Sequence, residues 1–119
     1  MKKMILFSNG NQHDINHFLK VHAYAATIGA CEGLPEDTLQ TLELAAIVHD
    51  IACPLCREKY GNTNGSYQEL EGAPLTREFF AGTDVPAEQL ERIVWLVSHH
   101  HTLRPIEGPD HQILTRSEE

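Results

Sequence analysis

Apolar residues recur at steps of three and four along most of the chain, and the clearest of these stripes each carry a histidine. A repeat near 3.6 residues is that of an amphipathic helix, so the pattern predicts an all-α fold. From about Asp14 to Cys31, the stripe Ile15, Phe18, Leu19, His22 and Ala26 turns His22 inward. After Gly33, Pro35 with Glu36 and Asp37 marks a second helix start, because proline fits the first turn and acids favour its positive end. Leu39, Leu42, Ala46 and His49 then follow one face. The "GTDVP" turn opens a later helix in which Leu90, Ile93, Val97 and His100 share a face, flanked by Leu96 and His99.

Between these helices the signals are weaker. Pro54, Gly61, Asn62, Asn64 and Gly65 break the periodicity, which predicts a long irregular loop from Cys53 to Gly65, placed as a lid beside the second helix. Ser66 and Glu69 have capping-box spacing for a helix toward Ala81, which Pro74 should break or bend. The last stretch, Asp110 to Glu119, shows no cap. Together these elements predict a compact bundle of about five or six helices, one domain over residues 1–119, with the C-terminal helix as the place where a shortened chain would show.

Charge narrows the partners. Nine Lys and Arg face seventeen Asp and Glu, a formal net charge of −8, which argues against holding a nucleic-acid polymer by charge alone. The apolar runs read as too short for a membrane span, and "MILF" near the start as too short for a signal-peptide core. Three cysteines suit a reducing compartment better than a disulfide framework, so the expected location is the cytoplasm. Eight histidines are the one excess.

That excess has chemistry attached. In "LAAIVHDIACPLC" a histidine and an aspartate sit side by side in an apolar run. One histidine on an apolar face is ordinarily a core residue satisfied by a hydrogen bond. Here His22, the pair His49 and Asp50, Glu71 and the cluster His99 to His101 fall near four helices, at inward or helix-end positions. A divalent ion is a partner that would neutralise such groups. Imidazole with carboxylate suits manganese, iron, cobalt, nickel or zinc. His13, His17 and His111 are read as exposed or as standing behind the ligands, and Cys31 as a small apolar residue. The "CPLC" of Cys53 to Cys56 is a single CxxC without a second pair, a weak signal for redox chemistry or zinc.

An inward histidine followed by "HD" closing the next helix resembles the HD-domain superfamily of metal-dependent phosphohydrolases. The resemblance runs from about Asp14 to Leu114. It implies one or two divalent transition-metal ions, with His22 as the first histidine and His49 and Asp50 as the HD pair. It makes His99 and His100 the paired histidines of dinuclear members and Glu118 the counterpart of the last aspartate. Dinuclear members carry a further histidine between the pair and that cluster; here the nearest counterpart is Glu71. The implied catalytic residues are Asp50, Glu71 to position water, and Lys59 to reach a phosphate. The function so implied is hydrolysis of a small phosphoester, a nucleotide or dinucleotide, by a metal-activated water. The competing readings are a catalytically degenerate nucleotide-binding module and, more thinly, a thiol protein using Cys53 and Cys56. A homodimer covering the last helix is also compatible with the pattern.

Overall fold

The computed structural model describes residues 1–99 and 108–118. Seven helices form among them: α1 Lys2–Phe7, α2 Gln12–Cys31, α3 Glu36–Val48, α4 Cys53–Tyr60, α5 Gly65–Phe80, α6 Ala87–His99 and α7 Gly108–Glu118. The fold is all-α.

Helix α2 starts where the Asn11 side chain accepts the Asp14 backbone N–H at 3.0 Å, satisfying a donor the first turn leaves without a partner. Its buried stripe is Ile15, Phe18, Val21, Ala25 and Gly29. The sequence spacing put Leu19 and His22 on that stripe; the true stripe shares Ile15 and Phe18 but is rotated by about 60°, so Leu19 is exposed and His22 sits at its margin. Helix α3 begins close to where the sequence puts it, with Glu36 and Asp37 in its first turn and Pro35 just outside that turn, as its cap. It buries Leu42, Ala45, Ala46 and Val48 completely. Each fully buried leucine or valine of this kind stabilises by about 1.5–3 kcal/mol.

Helices α2 and α3 form a hairpin joined by residues 32–35, and α3 also packs on α6 and α7. Gly29 permits the close approach at one end of the hairpin. A Cβ there would lie 2.6 Å from Leu39 Cδ1 and 3.2 Å from Leu42 Cδ2. The opposite end of the hairpin brings the start of α2 beside the end of α3.

Three local expectations change. The segment after Cys53 is a helix, not a loop. Pro54 occupies the first turn of α4, where its missing N–H costs no bond, and Gly61 closes the helix in the left-handed region at φ +76°. Only residues 61–64 remain irregular. Pro74 lies inside α5 without ending it, because it and Leu70, whose carbonyl it leaves unbonded, face solvent. The start of α5 is Asn64, with no side-chain cap, so the Ser66 and Glu69 box does not set it. Helix α1 has no counterpart in the sequence pattern. It buries Met4 and sets Phe7 edge-on to Phe79 at 6.3 Å.

By length and composition, Glu36–Tyr60 is apolar enough to cross a membrane, contrary to the expectation that no run is long enough. Its most apolar window is 61% buried inside the fold, and a turn at residues 49–52 divides it into α3 and α4. Its apolar character is accounted for by the core.

Helix α7 is held by side chains rather than by caps. Arg92 of α6 donates to Asp110 from Nε at 2.9 Å and from Nη2 at 2.7 Å, and its guanidinium lies 4.6 Å over the Trp95 ring. His111, fully buried, meets Trp95 edge-on at 4.9 Å and bonds the His99 carbonyl through Nε2 at 3.0 Å. Ile113 and Leu114 complete the seam.

Candidate metal centre

His49 caps the C-terminus of α3 and is 1% exposed. Its Nδ1 stands 2.6 Å from the Ala46 carbonyl oxygen. A carbonyl only accepts, so Nδ1 carries the proton, and the neutral ring offers Nε2 as a bare lone pair. That nitrogen is 3.1 Å from His17 Nε2 and 3.2 Å from Asp50 Oδ2. His17 Nε2 is in turn 3.1 Å from Asp50 Oδ2. The three donors come from the first turns of α2, the end of α3 and the turn that follows it. Helix α2 turns His17 toward α3 because Phe18 and Val21, beside it, anchor the buried stripe.

The donor set fits a divalent transition metal. Ligands about 2.1 Å from one ion and at right angles to each other lie about 3.0 Å apart, close to the three separations found here. All three atoms lie within 4.8 Å of one another, and no other such group of His, Cys, Asp or Glu occurs among the described residues. Two imidazoles and a carboxylate suit manganese, iron, cobalt, nickel or zinc. The Ala46 bond fixes the orientation of the His49 ring, as partners behind a ligating histidine do.

His17 and Asp50 form part of the wall of a cavity of about 420 Å³, together with Asp14, Cys53, Arg57 and Gln68. His49 lies behind them. Arg57 Nη2 donates to Asp14 Oδ1 at 2.5 Å, which holds the Arg57 pKa above its ordinary value. The other carboxylate oxygen, Asp14 Oδ2, is buried without a hydrogen-bond partner. A larger open groove of about 570 Å³ between α3 and α6 contains Asp37, Asp84, Glu88 and Arg92 but no histidine. Size alone would choose the wrong cleft.

The structure brings His49 and Asp50 together and sets His17, not His22, beside them. His22 is five residues, or about 140° of helix, from His17. Its Nε2 lies 3.3 Å from Glu43 Oε1 on α3. Glu71 and Lys59 bond each other instead of the three donors. Glu71 Oε1 accepts Lys59 Nζ at 2.9 Å and Tyr60 OH at 2.8 Å. Those two bonds hold the Glu71 carboxyl below its usual range, and the bond to Glu71, followed by one to Tyr60, raises the Lys59 ammonium. Neither residue lines the cavity beside the histidines. His99 bonds the Trp95 carbonyl through Nδ1 at 2.7 Å and stacks on the Trp95 ring at 4.2 Å. His100 lies outside the described residues, and so does the side chain of Glu118, which ends α7.

The cysteines of "CPLC" belong to the packing of α4. Burial pushes the Cys53 thiol far up, with Asp50 adding to the effect, and burial followed by Glu71 raises Cys56. Both stay as thiols at neutral pH, which removes the nucleophile that redox exchange needs. The residues that spacing alone missed are His17, Asp14 and Arg57. A stripe drawn through Val21 and Ala25 instead of Leu19 and Ala26 would have put His17 at the edge facing α3.

A family model described as HD domain matches residues 14–118, a span that includes all three donors. No curated protein and no solved structure matches the chain.

Proposed function

The chain belongs to the HD domain family, and from that premise we propose that it is a metal-dependent phosphohydrolase of the cytoplasm, acting on a small phosphoester such as a nucleotide or dinucleotide. The observation that carries this reading is the convergence of His17 Nε2, His49 Nε2 and Asp50 Oδ2 at separations of 3.1–3.2 Å. The cavity volume supports a small substrate, since it falls in the range of pockets that enclose small molecules. The negative net charge supports one that is not a nucleic-acid polymer.

His17, His49 and Asp50 would hold the ion. A divalent ion bound there supplies a lowered pKa for water and neutralises charge on phosphoryl oxygens. The protein's part is placement. The Ala46 carbonyl keeps the His49 ring in one tautomer, and Asp50 contributes the negative charge that favours a cation over a shared proton. Glu118 is proposed as a further donor because it closes α7, which packs on both α2 and α3, and His100, next in sequence after α6, as another.

The test is elemental analysis of untagged protein, with His17→Ala, His49→Ala and Asp50→Ala alongside, followed by a phosphoester screen with manganese, iron and nickel. The expected result is one or two ions per chain in the parent, few in the variants, and hydrolysis that disappears with the metal. A parent that holds no ion after reconstitution would sink the reading. One that holds metal and binds nucleotides without consuming them would turn it into a binding module.

A further inference from the structure

The chain carries a formal charge of −8, so an anionic substrate must be drawn by local cations. Among the described residues, Arg57 is the one lysine or arginine that lines the cavity of His17 and Asp50. Lys59, two residues on, is turned to Glu71. Asp50, Cys53 and Arg57 follow one another at steps of three and four, and all three line the cavity.

The pairing of Arg57 with Asp14 differs from an ordinary surface ion pair. Both oxygens of an exposed carboxylate stay in water, and such pairs contribute little. Here the Asp14 side chain is 17% exposed and its Oδ2 is buried without a donor, whereas the Arg57 side chain is 41% exposed. An unsatisfied buried oxygen is a cost. The arrangement therefore weakens Asp14 as a stabilising residue while fixing the guanidinium at the cavity. One of the five guanidinium N–H donors goes to Asp14 Oδ1, which leaves a planar edge able to fork two oxygens of a phosphoryl group.

We infer that Arg57 is the anchor for the substrate's phosphoryl group, that Asp14 is its positioning residue, and that the site takes a phosphomonoester. The inference rests on the proposed metal-site reading and adds the substrate class. The choice of monoester follows from counting oxygens. A forked arginine engages two non-bridging oxygens, and only a group with a third keeps one free for the donors on the same wall. A monoester has three such oxygens and a diester two.

The experiment titrates inorganic phosphate into metal-reconstituted parent, Arg57→Gln, Arg57→Lys and Asp14→Asn by calorimetry, with metal content and thermal melting measured on the same samples. Loss of the charged fork is expected to weaken phosphate binding about tenfold or more in Arg57→Gln, with metal content unchanged. Arg57→Lys should fall between, since an ammonium keeps the charge without the fork. Asp14→Asn should weaken binding by less than Arg57→Gln. With p-nitrophenyl phosphate the loss in Arg57→Gln should fall mainly on KM, and the parent should prefer this monoester to bis(p-nitrophenyl) phosphate. Unchanged phosphate affinity in folded, metal-loaded Arg57→Gln would overturn the anchor while leaving the metal site standing. A metal-loaded parent that leaves phosphate unbound would do the same, and preference for the diester would overturn the substrate class. A parent that holds no metal would remove the proposed function, and this inference with it.

Discussion

Among the described residues two pairs of histidines meet, and they are used in opposite ways. His17 and His49 meet where the start of α2 passes the end of α3, with ring nitrogens facing each other and the Asp50 carboxylate. His99 and His111 meet where α7 crosses α6, and there a nitrogen of each ring bonds a backbone carbonyl while the ring packs on Trp95. Both pairs involve inward positions on helices. An inward histidine is therefore no guide to chemistry until the groups meeting its nitrogens are known.

The largest effect that could break this contrast is at His49. His49→Ala should abolish metal retention and also lower the stability of the metal-free protein by about 2–4 kcal/mol, because a fully buried ring is replaced by a cavity. Elemental analysis and urea denaturation read the two losses separately. His17, a third exposed, should separate them in one variant: His17→Ala loses the metal, but the metal-free protein changes by no more than about 1 kcal/mol. At the other pair the outcome should reverse. His111→Ala is expected to cost about 2–4 kcal/mol in denaturation with metal stoichiometry intact, and loss of metal there would end the distinction.

A smaller effect sharpens the placement of Glu71. Its carboxyl is depressed from an ordinary 4.5 by Lys59 and Tyr60, so its contribution to stability is complete above that value and is lost as pH falls through the depressed one. Thermal melting of the parent and Glu71→Gln across an acid series should show two curves that differ at neutral pH and converge in acid, with metal content alike. The smallest effect is at His22. His22→Gln should leave metal content unchanged and shift stability by no more than about 0.5 kcal/mol, since its partner Glu43 is a partly exposed carboxylate.

The sequence carried the helices more legibly than their rotation. Helices α2, α3 and α6 were readable because each buries a long apolar face, and α3 even announced its own start at Pro35. The HD pair was readable for the same reason: it closes a face whose inward members are all small or apolar. His17 was not, because Leu19 and Val21 are equally plausible members of the α2 stripe, and choosing between them turns the buried face by about 60°. Only packing against α3 and α7 decides it. Helix α4 was hidden by Pro54, which reads as a breaker in sequence and acts as a first-turn residue in the fold. Glu71 and Lys59 were singled out for their charge, and the structure spends that charge between them, a pairing across twelve residues that no local pattern announces.

Gly29 gives the hairpin a mechanical property. Helices α2 and α3 are two arms that nearly touch at Gly29 and carry His17 and His49 at their other tips, about 18 Å away along α2. Because α2 and α3 stay packed on each other between those two points, a change of spacing at Gly29 is transmitted to the gap between the tips. The gap between His17 and His49, where an ion would sit, therefore depends on packing far from it. Residues that touch none of the three donors, the leucines around Gly29, thus share in setting the distance between them.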